Sequence, residues 1–94
     1  MEFDLVVTRH KGLVEYLIKK GIVGNDINVT AHANRENVLD KNVIGVLPHS
    51  LSCLAKSFSE IPLNIPQEMR GKELTCHDVE SMASDLVTYM VEVA

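Results

Sequence analysis

Thr8, Arg9 and His10 stand together directly after an apolar run, and similar groups recur at His32, Asn34 and Arg35 and again at His49 and Ser50. Arg70 and Lys72 add basic side chains further on. These residue types suit an anion. A guanidinium grips phosphate oxygens through paired N–H bonds, and imidazole moves protons near neutrality because its ordinary pKa is about 6.5. Arg9 is therefore a candidate for binding the anion, His10 for general acid or base, and Thr8 and Ser50 for hydroxyl donors. His49 is a second candidate for proton transfer, and Arg70 for charge. His32 reads first as a strand-end surface residue and is retained as a ligand-binding candidate. A plainer alternative exists for each corner: Thr8-Arg9-His10 can simply be a solvated turn capping its helix, and His49-Ser50 beside Pro48 can simply start one.

Other chemistries find little support. The chain has no H-E-x-x-H, no close His/Asp/Cys cluster and no Gly-rich phosphate loop, so neither a metal nor a cofactor is expected. Cys53 and Cys76 form no C-x-x-C pair, and reduced, inert thiols are the expectation.

The elements that must position these groups follow from periodicity. Phe3 to Val7, Ile27 to Ala31 and Val43 to Leu47 are short apolar runs rich in β-branched residues, each ending at one of the polar clusters; they are predicted as strands. Leu13, Val14, Leu17 and Ile18 give a helical stripe that starts near Gly12 and is capped at Gly21. Between strands two and three, "NRENVLDKN" is polar and accommodates one helical turn. Leu51, Leu54, Ala55 and Phe58 predict helix two after Pro48, and Ile61 to Ile65 predict a fourth strand, near an edge because of Pro62. Thr75 and Asp78 form a capping box, and Val79, Met82, Ala83, Leu86, Val87 and Met90 predict a long helix three packed on the core.

Continuous apolar strands alternating with amphipathic helices imply a sheet covered on both faces. The predicted fold class is α/β: a small three-layer Rossmann-like sandwich with a mainly parallel four-stranded sheet. In such sheets ligands sit beyond the carboxyl ends of the strands, where three of the four histidines fall, His77 being the exception. The N–H groups opening helices one and two are expected to attract an anion there.

Composition narrows the partners. Ninety-four residues, 46% hydrophobic, suit one domain over residues 1–94, and with two Phe, two Tyr and no Trp its core is aliphatic. The net charge is −4 and no basic run exceeds Lys19-Lys20, which argues against long nucleic acid. The chain opens on a strand pattern instead of a signal sequence and has no apolar stretch near the ~18 residues of a membrane span, so a cytoplasmic protein off the membrane is expected.

Two resemblances meet at the first corner. "TRHKG" is similar to the Arg-His-Gly signature of histidine phosphatases, whose His is phosphorylated, but Lys11 interrupts the motif before Gly12. A second resemblance spans nearly the whole chain. Thr8-Arg9-His10 after a strand, Val43 to Pro48 before helix two, and Arg70-Gly71-Lys72-Glu73-Leu74 before the last helix occur in order. In this the chain resembles the small VVA-type, Csx-class CRISPR-associated family of type III systems. The resemblance implies a reduced relative of the CARF-type Rossmann domain, acting as a homodimer on cyclic tetra-adenylate. It implies a ring nuclease that opens this messenger without a metal, by 2′-hydroxyl attack that leaves a 2′,3′-cyclic phosphate; the alternative is a sponge or sensor module that binds without cutting. A protein docking on another CRISPR component is a further alternative. Two-fold symmetry fits such a ligand, since a four-fold ring of phosphates over the axis meets two identical Arg-His corners.

Overall fold

A computed structural model describes residues 2–94. The elements run β1 (Leu5–Val7), α1 (Lys11–Lys19), β2 (Asn28–Thr30), α2 (Arg35–Val38), β3 (Asn42–Gly45), α3 (His49–Ser52), β4 (Ser57–Glu60), α4 (Cys76–Met82) and β5 (Val87–Tyr89). A 3-10 turn at Gln67–Met69 lies between β4 and α4. The five strands form one sheet in the order β2-β1-β3-β4-β5, parallel except that β5 runs antiparallel to β4. The α/β Rossmann-like class is as expected, with five strands in place of four.

Strand alternation builds the three layers. Leu5, Val7 and Val43 point to a cluster with Val38 of α2, against which Leu51 and Leu54 pack. Val6 and Ile44, the intervening residues, point to the opposite cluster with Leu13, Tyr16 and Leu17 of α1 and Val79 of α4. Val6, Leu17, Ile44 and Val79 are fully buried, each contributing about 1.5–3 kcal/mol by leaving water. The β-branched shape of Val6 and Ile44 suits strands buried on both faces.

The first half follows its local signals. In α1 the apolar stripe faces the core, and the helix ends on a Schellman motif: Gly21, at φ 72°, donates to the Ile18 carbonyl and Ile22 to that of Leu17. The single turn α2 occupies the polar link between β2 and β3, which lie on either side of β1. The strands are shorter than their apolar runs, because pairing ends before the flanking residues do.

The second half departs from expectation. Helix two is a single turn: α3 stops at Ser52, and Phe58 belongs to β4. Leu51, Leu54 and Ala55 still pack on the core, so their spacing reports burial without a continuous helix. The fourth strand is Ser57–Glu60, not Ile61 to Ile65. Its two serines disguise it, since polar residues rarely occupy a buried strand. Here each has a partner directly across the ladder: Ser57 Oγ donates to Asn42 Oδ1 at 2.8 Å, and Ser59 Oγ meets Thr88 Oγ1 at 2.8 Å.

Helix three also ends early. The Thr75–Asp78 capping box forms as expected, and Val79, Met82 and Ala83 pack on the core. At Ala83 the backbone turns extended (ψ 135°) and bridges Leu63, and the chain returns as β5 along the free edge of β4. Met90, expected in the core stripe, is 82% exposed. An unpaired edge of β4 would leave buried backbone groups without partners, and the β-branched run from Val87 onwards supplies them. Among the described residues no helix is long and apolar enough to cross a membrane.

Candidate ligand site at the carboxyl edge of the sheet

The chain passes from β1 out to β2, then crosses back to place β3 on the other side of β1. That reversal opens a crevice beyond the carboxyl ends of β1 and β3, the place where open α/β sheets bind ligands. Gly45 sets its width. It sits at φ 135°, and a Cβ there would fall 2.0 Å from the Val7 carbonyl oxygen. The following Val46 N–H donates to that same oxygen at 2.9 Å.

The Thr8-Arg9-His10 corner is built by short-range bonds. The Thr8 N–H extends the β1–β2 ladder to the Thr30 carbonyl (3.0 Å), and its buried Oγ1 accepts from the His10 N–H (3.1 Å). His10, extended at φ −103° and ψ 113°, is the residue before α1 and offers no side-chain cap. Gly12 then lets a distant loop approach: a Cβ there would lie 2.2 Å from the Leu74 carbonyl oxygen. Leu74 is itself buried in the α1–α4 core, which anchors the Arg70–Leu74 loop beside the corner.

Three cavities adjoin one another along this edge. One of about 360 Å³ lies in the crevice, between Thr8, Arg9 and His10 on one side and Ala31 and Val46 on the others. A second, of about 310 Å³, is lined by Arg9, His10, Met69, Arg70, Lys72 and Glu73. Arg9 and His10 separate these two. The third, about 340 Å³, lies beyond Val46 and is lined by His49, Ser52, Phe58, Glu60 and Tyr89.

The fold therefore brings Arg9, His10 and Arg70 to one cavity, though Arg70 stands about sixty residues away in sequence. Among the described residues the one salt bridge joins Lys19 to Glu80, so neither arginine is in an ion pair. Arg9, Arg70 and Lys72 against Glu73 make this a locally positive spot on an acidic chain. The His10 Nδ1 is buried and has no hydrogen-bond partner, the only such side-chain atom among the described residues. A buried polar atom left unpaired costs about 1–3 kcal/mol, and such a cost in a folded chain marks strain or use.

The remaining candidates lie elsewhere. His49 lines the third cavity, with Val46 between it and the arginines. Ser50 is exposed on α3 and borders none of these three cavities. His32 is exposed beyond β2, its backbone turned by two hydrogen bonds with Thr30 Oγ1. The anion attraction expected at helix two is reduced, because α3 is one turn and its peptide dipoles sum over few residues.

Sequence reasoning missed Val46, Glu60 and Tyr89. The Tyr89 hydroxyl donates to Glu60 Oε1 at 3.2 Å, which lifts the phenol above its ordinary range, because ionising it would break that bond. The β-branched density of "LVTYMVEV" was the signal available for a strand here.

No curated protein and no solved structure matches the chain. Residues 5–92 match the family model described as "Putative CRISPR-associated protein (Cas_VVA1548)". The match takes in the Thr8-Arg9-His10 corner, β3 and the Arg70–Leu74 loop that Gly12 holds against it. The chain belongs to this CRISPR-associated family.

Proposed function

We propose that the chain binds cyclic tetra-adenylate as a homodimer and opens the ring, ending the signal of a type III CRISPR response. The observation that carries the reading is the joint lining of one cavity by Arg9, His10 and Arg70, with the His10 Nδ1 buried and unpaired. Membership of a CRISPR-associated family supports the setting.

In this mechanism His10 takes the proton from a ribose 2′-hydroxyl. The 2′-oxygen attacks the adjacent phosphorus in line, and the P–O5′ bond breaks. The leaving 5′-oxygen takes up a proton, giving a linear isomer of the ring with a 2′,3′-cyclic phosphate at one end and a 5′-hydroxyl at the other. No water is consumed and no metal takes part. Arg9 and Arg70 hold the nonbridging oxygens, where charge builds in the transition state. Thr8, bordering the adjoining crevice, acts as a supporting ligand contact and His49, in the third cavity, as a second proton carrier, while Ser50 and His32 border none of the three cavities and have no part in one protomer's site.

Incubating the protein with cyclic tetra-adenylate in the presence of chelator, followed by mass analysis, tests this. The expected product has the mass of the ring and runs as a linear species; an Arg9→Ala/His10→Ala variant leaves the ring closed. Recovery of intact ring from the unaltered protein over hours overturns cleavage. One observation favours the non-cutting sponge: a single histidine lines the arginine cavity, so one protomer lacks a paired acid and base. Tight binding with full recovery of the closed ring is the outcome that reading requires.

A further inference from the structure

We infer that the third cavity, at the rim of β3, β4 and β5, is a pocket for a nucleobase bearing an exocyclic amino group. It would take the adenine of a nucleotide whose phosphate lies at Arg9; this choice of base rests on the proposed function. The walls suit a flat heterocycle. Phe58 and Tyr89 supply aromatic faces, Val46 and Val91 aliphatic ones, and the volume of about 340 Å³ lies within the range of small-ligand sites. Val46 is 72% exposed and Tyr89 43%, unusual for apolar and aromatic side chains this close to a buried sheet, and both border the cavity.

Beside His49 and Ser52, the charged group in the cavity lining directs the chemistry. Glu60 is a carboxylate, which only accepts hydrogen bonds. Its Oε1 is taken by the Tyr89 hydroxyl, and its Oε2 makes no hydrogen bond among the described residues. A ligand in this cavity is therefore favoured by bringing a hydrogen-bond donor, and on a flat heterocycle an exocyclic amine supplies one. The cavity also adjoins the crevice: Val46 borders both, so a base in one and a phosphate in the other belong to one nucleotide's reach.

The test uses nucleosides, so that it does not depend on ring binding. The chain has two tyrosines, and Tyr16 is buried in the core. Its ring signals in NMR spectra serve as an internal control for those of Tyr89. Titration with adenosine is expected to shift the Tyr89 signals and leave those of Tyr16 in place. Purine riboside, which lacks the amino group, is expected to need about tenfold higher concentration, the loss of one charge-assisted hydrogen bond. Glu60→Ala should abolish that preference while unchanged Tyr16 signals report an intact fold. Tyr89 signals that stay still with adenosine, or move equally with both nucleosides, overturn the inference. Nucleoside shifts that persist in a protein failing to bind cyclic tetra-adenylate sink the proposed function and leave this pocket standing.

Discussion

Leu5, Val6 and Val7 of β1 are all buried, whereas Val87, Thr88 and Tyr89 of β5 are all exposed. The first strand lies inside the sheet, paired to β2 on one edge and β3 on the other with helices over both faces, so two ladders and buried side chains hold it. The second is an edge strand, held by its ladder to β4 and by two side-chain hydrogen bonds, Ser59 to Thr88 and Tyr89 to Glu60. Each strand carries one end of the candidate site. The basic corner thus grows from the most buried part of the sheet, while the aromatic cavity is bounded by one of its least covered strands. Charge is placed rigidly and shape is left adjustable, because segments with few buried contacts open at lower free energy.

The largest effect should come from Gly45, where β1 and β3 touch. Gly45→Ala puts a Cβ against the Val7 carbonyl and an L side chain at φ 135°, and is expected to cost about 3 kcal/mol or more. Urea denaturation measures it, and an unchanged midpoint would mean the inner strands are less tightly joined than described.

A smaller effect is expected at the rim. Ser59→Ala leaves the Thr88 hydroxyl without its partner beside a fully buried position and should cost about 1 kcal/mol. Adding Thr88→Val should restore most of the loss, since removing both hydroxyls leaves nothing unpaired. Amide exchange should quicken along β5 in the single variant and stay slow in β1. Equal quickening in both strands would contradict the contrast drawn between them.

The smallest effect concerns a capping box outside both regions. The Asp78 carboxylate accepts from the Thr75 N–H at 3.0 Å, and this bond holds its pKa below the ordinary 3.8. Glu80, bonded to Lys19, is lowered as well. A carboxyl depressed in the folded state stabilises the fold above its unfolded value and loses that contribution as pH falls through its folded value. Thermal melts taken into the acid range should therefore decline below the ordinary carboxyl value, and less steeply for Asp78→Ala. An identical acid profile for the variant would show that the cap contributes nothing there.

Legibility along the chain tracked how local each signal was. Gly21, the Thr75–Asp78 box and the α1 stripe are settled by residues within a few positions of one another, and each appears as read. Phe58 and Met90 were assigned to helices because both fit a helical spacing; Phe58 instead pairs in β4, and Met90 follows the end of β5, exposed. Ser57 and Ser59 hid β4 because the partners that make them tolerable, Asn42 and Thr88, lie 15 and 29 residues away.

For the site the division is similar. Arg9, His10 and Arg70 were candidates on residue type alone, and so was His49. Only the folded chain separates them, because Gly12 admits the Leu74 backbone and draws Arg70 to the corner, while Val46 stands between that corner and His49. Sequence by itself determined the alternation of strand and helix, the caps, and the polar corner after the first strand, since each depends on neighbours along the chain. Tertiary structure decided the fifth strand, the place of the fourth, and which histidine shares a cavity with the arginines. Those choices turn on which edges and surfaces meet across the sheet, and local spacing carries no record of them.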